Sequence, residues 1–296
     1  ADYLCGAALM TTKEIWDEVG GLSQYLAPMY FEDTDLAFKV RDAGYKTYFI
    51  PSSVVYHFEG ITSGTDVSKG FKKHQEENRP KFKRKWARAY ASHGAIVGKN
   101  PDQEKDRGIA GRVLFIDYTT PRADQDAGSY AAIQEIKLVQ ALGYKVSFLP
   151  QNLAHMGKYT AELEKNGVEV IYAPFVLSVE EFLETRGAEF DAFYVTRYYV
   201  MQQVQALIRR VAPHAKIIYN NADLHFLREL RRALVSGDPA EMENFQQIRN
   251  DELQMIHKAD VVLSYNEVEH AVIRSHTDGQ VPVMKCPWVV DIPEQG

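Results

Sequence analysis

Glu32, Asp33 and Asp35 place three carboxylates within four residues, and His57 follows after Gly44 and Pro51. Carboxylates and an imidazole brought to one place can take a proton from a hydroxyl or ligate a cation. Either use requires the chain between Asp35 and His57 to fold back on itself. Simpler roles stand beside the chemical one. Acidic residues at a helix start also cap it, and a single histidine at a strand end is often an ordinary surface residue.

The elements that would position these groups can be read locally. Leu36, Phe38 and Val40 follow the acidic entry, so a helix begins there with Glu32, Asp33 and Asp35 in its first turn, where the helix dipole favours anions. Gly44 ends that helix. Residues 45–50 then read as a strand, and a second short strand through Val54, Val55 and Tyr56 delivers His57 to a loop ahead of Phe58-Glu59-Gly60.

The ordered set Glu32-Asp33, Asp35-Leu36, Gly44, Pro51 and His57 resembles the C-terminal half of the catalytic domain of inverting glycosyltransferases of family 2, which have the GT-A fold. The resemblance spans residues 1–93. It implies that Asp33 is the base that deprotonates an acceptor hydroxyl, with Glu32 beside it in the catalytic pair and Asp35 on the substrate. It also implies that His57 helps to hold a divalent metal, Mn or Mg, on the diphosphate of a nucleotide-sugar donor. A sugar hydroxyl is a poor nucleophile at neutral pH, so a carboxylate within hydrogen-bond reach must accept its proton as the glycosidic bond forms. The leaving nucleoside diphosphate gathers negative charge, which a Lewis-acidic metal stabilises. Gly6-Ala7-Ala8-Leu9-Met10 and Val19-Gly20-Gly21-Leu22 look like the family's acceptor-side loop. The family's nucleotide-binding half, with its Asp-x-Asp motif, would precede residue 1, so the chain reads as a fragment whose first site lacks most of its donor pocket.

Composition bounds the partners. The chain has 296 residues, 45% apolar and 25% charged, with a net charge of -6, the profile of a globular protein of two domains. An acidic balance argues against a nucleic-acid partner, which needs clustered excess positive charge. Cys5 and Cys286 suggest neither a disulfide framework nor a zinc cluster, and a cytoplasmic location is the expectation, at the inner face of the membrane if a basic segment meets lipid. No apolar run is long enough to span a bilayer.

Residues 63–93 read as a long polar helix in which Pro80 is expected to cause a break or kink. Phe82, Trp86 and Tyr90 fall four apart on one face, opposite Lys72, Lys73, Arg79, Lys81, Lys83, Arg84, Lys85 and Arg88. The plain reading is a helix packed on its own domain. The alternatives are contact with an anionic membrane surface or a pyrophosphate-linked acceptor and, as a local exception to the acidic balance, with nucleic acid.

Residues 94–110 read as a linker. After them, short apolar runs at 113–116, 145–149, 168–172, 192–195, 216–219 and 261–264 alternate with helical stretches, the first at 130–142. This pattern indicates an α/β fold with a doubly wound, mostly parallel Rossmann-like sheet. The loop after the first run, Asp117 to Ser129, lacks the Gly-x-Gly-x-x-Gly spacing of a dinucleotide site, so neither NAD nor flavin is expected. Gly128 and Ser129 sit where a helix begins, so their amides could meet a phosphate or sugar hydroxyl, or simply form a turn and a cap.

The order of elements over residues 111–291 resembles the N-terminal, acceptor-side domain of GT-B glycosyltransferases such as those of family 4. The segments carrying it are Asp126-Ala127-Gly128-Ser129, Val195-Thr196-Arg197-Tyr198, Asn220 to Glu229, and Ala259 to Ser264 with Glu267. The resemblance implies a glycan or lipid-linked acceptor held at the strand-end loops, with Arg197, Asp223, His225 and Arg228 as substrate-binding residues. His225 would be an acid-base group and Arg228 a phosphate or carboxylate clamp; equally, Asp223 could be an N-cap and the other two ordinary helix residues. Residues 292–296 would begin a linker to a donor-binding domain. The expectation is a GT-A part joined to a GT-B half in a bifunctional glycosyltransferase that builds a cell-surface polysaccharide. The rival reading is a non-catalytic module that binds glycan or partner enzymes.

Overall fold

The computed structural model describes residues 2–50, 53–57, 68–93 and 106–290. Its chain divides into two units, Ala1–Arg107 and Gly108–Gly296. In the second unit the alternating apolar runs form a sheet of seven strands in the order β3-β2-β1-β4-β5-β6-β7. These are β1 (Gly111–Asp117), β2 (Tyr144–Pro150), β3 (Glu169–Val170), β4 (Ala192–Thr196), β5 (Lys216–Asn220), β6 (Val261–Ser264) and β7 (Val283–Lys285). Every neighbouring pair is parallel. β3 is shorter than the apolar run at 168–172 suggests, and β7 carries too weak a pattern to be read from sequence.

Alternation within each strand divides the core. Leu114 and Ile116 of β1, Phe193 and Val195 of β4 and Ile217 and Tyr219 of β5 face one apolar cluster. Val113, Phe115, Val146, Phe148 and Tyr194 face the other, with Ile136 and Leu163 from helices. Period-two side chains buried on both faces give the continuous apolar runs seen in the sequence. The sheet order reverses beside β1, whose two neighbours are β2 and β4, and a crevice outside the strand ends at such a point is where open α/β sheets bind ligands.

Seven further elements cover the sheet or its edge, but only those near the strand ends concern the site. They are α5 (Ala127–Ala141), α6 (Lys158–Lys165), α7 (Val179–Arg186), α8 (Tyr198–Val211), α9 (His225–Ser236), α10 (Pro239–Lys258) and α11 (Glu267–His276). The turn from α9 to α10 is specified locally. Gly237 ends α9 at φ 67, Asp238 caps α10 by accepting from the Ala240 amide at 2.8 Å, and Pro239 occupies the first turn.

The first unit contains α1 (Lys13–Val19), α2 (Glu32–Asp42), α3 (Lys73–Lys85) and α4 (Ala87–Tyr90). Phe38 of α2 packs with Phe82 and Trp86, against which Phe31 and Ala89 also lie. Two expectations are corrected here. Residues 45–50 and 53–57 are not strands. Strand-prone residues need a pairing partner, none is supplied to them among the described residues, and Tyr48, Phe49, Ile50, Val54, Val55 and Tyr56 are exposed. Pro80 does not break the basic helix either. It lies inside α3, flanked by buried Asn78 and Phe82, and the break falls at Trp86 with ψ 21. Among the described residues no helix is long and apolar enough to cross a membrane.

Candidate functional site

Glu32 and Asp33 open α2 as the acidic spacing predicts, but the turn before them is strained. Tyr30 and Phe31 are both left-handed, with φ of 75 and 71, and each such non-glycine residue costs on the order of 1–3 kcal/mol unless its surroundings hold it. Asn78 of α3 does so. Its buried Nδ2 donates to the carbonyls of Leu26, Met29 and Tyr30 at 2.7, 2.9 and 3.2 Å. The half-buried Asp33 accepts from the Gly6 amide at 2.8 Å and from the Thr34 amide at 2.6 Å. A Cβ on Gly6 would come within 3.2 Å of the Asp33 carboxylate, which accounts for a glycine there. Glu32 Oε2 is buried without a partner among the described residues. Burial pushes its carboxyl above the ordinary range, and the Asp33 charge pushes the same way.

Asp35 is corrected from a substrate contact to a structural hub. It is fully buried, and its two oxygens accept from Ser23 Oγ at 2.5 Å, Tyr25 Oη at 2.7 Å, Trp86 Nε1 at 2.8 Å and Lys85 Nζ at 2.9 Å. No oxygen is left for a ligand. Lys85, read from sequence as part of the solvated basic face, thereby turns inward. His57 is exposed, Pro51 and residues 58–60 lie outside the described residues, and among the described residues no three His, Cys, Asp or Glu side chains could hold a metal ion.

At the carboxyl ends of β1, β4 and β5 the second unit gathers a polar cluster. Asp117 ends β1. Arg197 follows β4 across the sheet's reversal point, is left-handed at φ 74, and donates from Nη1 to Asp117 Oδ1. Burial pushes the Asp117 carboxyl up while Arg197 pulls it back. Beyond β5, Ala222 is left-handed at φ 60, and Asp223 accepts from Arg228 Nη1 at 2.8 Å. His225 is buried, with Nδ1 3.0 Å from the Asp223 carbonyl and 3.4 Å from Glu252 Oε1. Tyr199, at the start of α8, joins the groups: its ring lies 6.3 Å from Tyr118 and 5.9 Å from His225, and the charges of Arg197, Asp117 and Arg228 all reach its hydroxyl.

The structure thus brings Arg197, Asp223, His225 and Arg228 to one region. It reassigns other parts. Asp223 is not the N-cap of α9; the fully buried Glu252 of α10 serves instead, accepting from the His225 and Phe226 amides at 3.3 and 3.0 Å. Gly128 lies in the first turn of α5, and the Ser129 amide is already bonded to Asp126 Oδ1 at 2.7 Å, with Ser129 Oγ donating to Oδ2 at 2.7 Å. That amide is closed to a phosphate. Arg228 is likewise no free clamp, because Asp223 holds its charge.

Sequence reasoning missed Asp117, Tyr199 and Glu252, and a buried network below them. Glu135 of α5 accepts from Tyr194 and Tyr265 at 2.8 Å each, Asn220 Nδ2 donates to both tyrosines, and Asn220 Oδ1 accepts from the Ala222 amide at 2.9 Å. This network holds the turn that carries Asp223. Only Asp117 had a usable signal, as the polar residue that ends the first apolar run. A separate groove of about 570 Å³ lies at the β3 edge between Tyr172, Phe175 and Phe182. None of the strand-end residues lines it, so the chemistry-bearing groups are outside it.

No family model matches the chain. One curated relative, "Uncharacterized protein y4gI" of Sinorhizobium fredii (strain NBRC 101917 / NGR234), is 36% identical over 78 residues, which is 26% of this chain and 8% of that protein. Solved structures similar to the chain include a sucrose-phosphate synthase from Thermosynechococcus elongatus, 12% identical over 60% of this chain and 48% of that one, with a TM-score of 0.40. A Phytolacca americana UGT2 complexed with UDP-2fluoro-glucose and pterostilbene is 12% identical over 59% and 53%, with a TM-score of 0.40. The chain therefore spans 8% of the curated relative and about half of these solved chains. The sheet order rests on the chain's own strand pairing and not on these likenesses.

Proposed function

We propose that this chain takes part in glycosyl transfer from a nucleotide-sugar donor to a growing glycan, with Asp33 as the base in the first unit and the strand-end cluster of the second unit holding the acceptor. The observation that carries the reading is the acidic pair on a strained, clamped turn. Asp33 is within reach of solvent, and Glu32 beside it resists ionisation. A hydroxyl approaching Asp33 gives its proton to the carboxylate as its oxygen attacks the anomeric carbon, and the nucleoside diphosphate leaves with the bonding electron pair. The transfer of that proton does not depend on a cation. In the second unit, carboxylates, guanidinium groups and tyrosines at the strand ends suit a polyhydroxylated ligand, while the loop after β1 lacks the glycine spacing a dinucleotide needs.

Paired calorimetric titrations test the reading. Oligosaccharides should bind the second unit and weaken on Arg197→Ala, whereas UDP-, GDP- and dTDP-sugars, with or without Mn, should not bind this chain tightly. Metal-dependent donor binding abolished by His57→Ala would show instead that the first site is complete in itself. No binding of any glycan would sink the acceptor role. In a longer protein that contains this chain and transfers sugar through this site, Asp33→Asn should abolish that transfer, and unchanged transfer would remove Asp33 from catalysis and favour the module that binds glycan or partner enzymes.

A further inference from the structure

We infer that the strand-end site of the second unit selects an electrically neutral sugar over a uronic acid or a phosphate. The inference rests on the acceptor reading above and narrows it. Both guanidinium groups of the cluster are already compensated: Arg197 by Asp117, and Arg228 by Asp223 at 2.8 Å with Glu229 Oε1 3.5 Å from its Nε; the charge of Arg122, in the loop after β1, falls on Asp126. A ligand anion would have to compete with these carboxylates and would meet Asp117, Asp126 and Asp223 as like charges.

The helix ends point the same way. Helix amino ends attract anions through unpaired amides, but two of those at the strand ends are closed by the protein's own acids. Asp126 takes the Ser129 amide at α5, and the buried Glu252 takes the His225 and Phe226 amides at α9. At α8 the Asp117 carboxylate lies against Arg197, the residue that caps the helix. Paired Asp and Arg side chains both accept from and donate to neighbouring hydroxyls, and the exposed Tyr118 ring offers a face to sugar C–H groups.

The test is ligand-observed NMR and calorimetry on the full chain with matched methyl glycosides of glucose and glucuronate, galactose and galacturonate, and mannose and mannuronate, together with inorganic phosphate and pyrophosphate. The expected result is binding of at least one neutral sugar, with its uronate weaker by roughly tenfold or more, as for an unfavourable charge placed against like charge, and no competition from phosphate. Asp223→Asn, at an exposed position, frees the Arg228 guanidinium and should narrow or reverse that ratio; Asp117→Asn should do the same through Arg197. Uronate or phosphate binding equal to or tighter than the neutral sugar overturns the inference and leaves the acceptor reading standing. Binding of none of these sugars overturns both.

Discussion

At the scale of single residues, Asp35 shows how an acid that looks catalytic can be structural. Its donors come from two segments distant in sequence, Ser23 with Tyr25 and Lys85 with Trp86, and removing the carboxylate leaves Lys85, Trp86 and Tyr25 without their partner. Asp35→Ala should therefore cost the first unit about 3–5 kcal/mol, measured by denaturant unfolding. The carboxyl is held below its ordinary value: burial opposes ionisation most, and the bonds from Ser23, Lys85, Trp86 and Tyr25 together outweigh it. A depressed carboxyl stabilises fully above its unfolded value of about 3.9 and loses that contribution as pH falls through the lower folded value. Acid unfolding of the first unit should show this loss below about pH 4, and the Asp35→Ala protein should lack it. Glu252 makes a parallel case in the second unit. Glu252→Ala strips two amides of α9 of their acceptor and should cost about 1–3 kcal/mol in urea unfolding.

At the scale of elements, α3 has two faces with separate consequences. Its inner face is polar and positions the acidic turn through Asn78. Asn78→Ala should speed hydrogen exchange at residues 30–34 and destabilise the unit by about 1–3 kcal/mol; exchange unchanged from the parent would show that the left-handed turn is held by other contacts. The outer face carries Lys83 and Arg84, and Arg88 of α4 follows, all exposed and without an ion pair among the described residues. If this face meets an anionic surface, the chain should float with phosphatidylserine vesicles at low salt and lose that on Lys83→Glu with Arg84→Glu and Arg88→Glu. Equal flotation with neutral vesicles would dismiss the basic face as the cause.

At the scale of the whole molecule, the second unit is self-sufficient in its packing. Both apolar clusters on its sheet are built from residues after Gly108. A fragment of residues 108–296 should therefore fold alone, with the far-ultraviolet signature of a helix-rich α/β protein and a single cooperative thermal transition. A fragment without a cooperative transition would show that the sheet needs residues ahead of Gly108. The first unit is different in kind: its apolar residues at 48–50 and 54–56 are exposed, and no strand pairs with them among the described residues.

Much of the second unit was legible in the sequence because its information is local. A parallel strand buried on both faces must be an apolar run, and its crossover must be a helix, so run and helix alternate along the chain whatever the final order. The start of α2 at Glu32 was equally local. Strand order, and with it the site, was a tertiary matter. Asp117 meets Arg197, Asp35 meets Lys85 and Trp86, and Glu252 reaches the His225 amide only because distant segments are laid side by side, and no periodicity encodes that. Residues 45–50 mark the opposite limit: their β-prone side chains were plain in the sequence, but propensity stabilises a strand only through hydrogen bonds to a neighbour, which the chain's tertiary arrangement supplies or withholds.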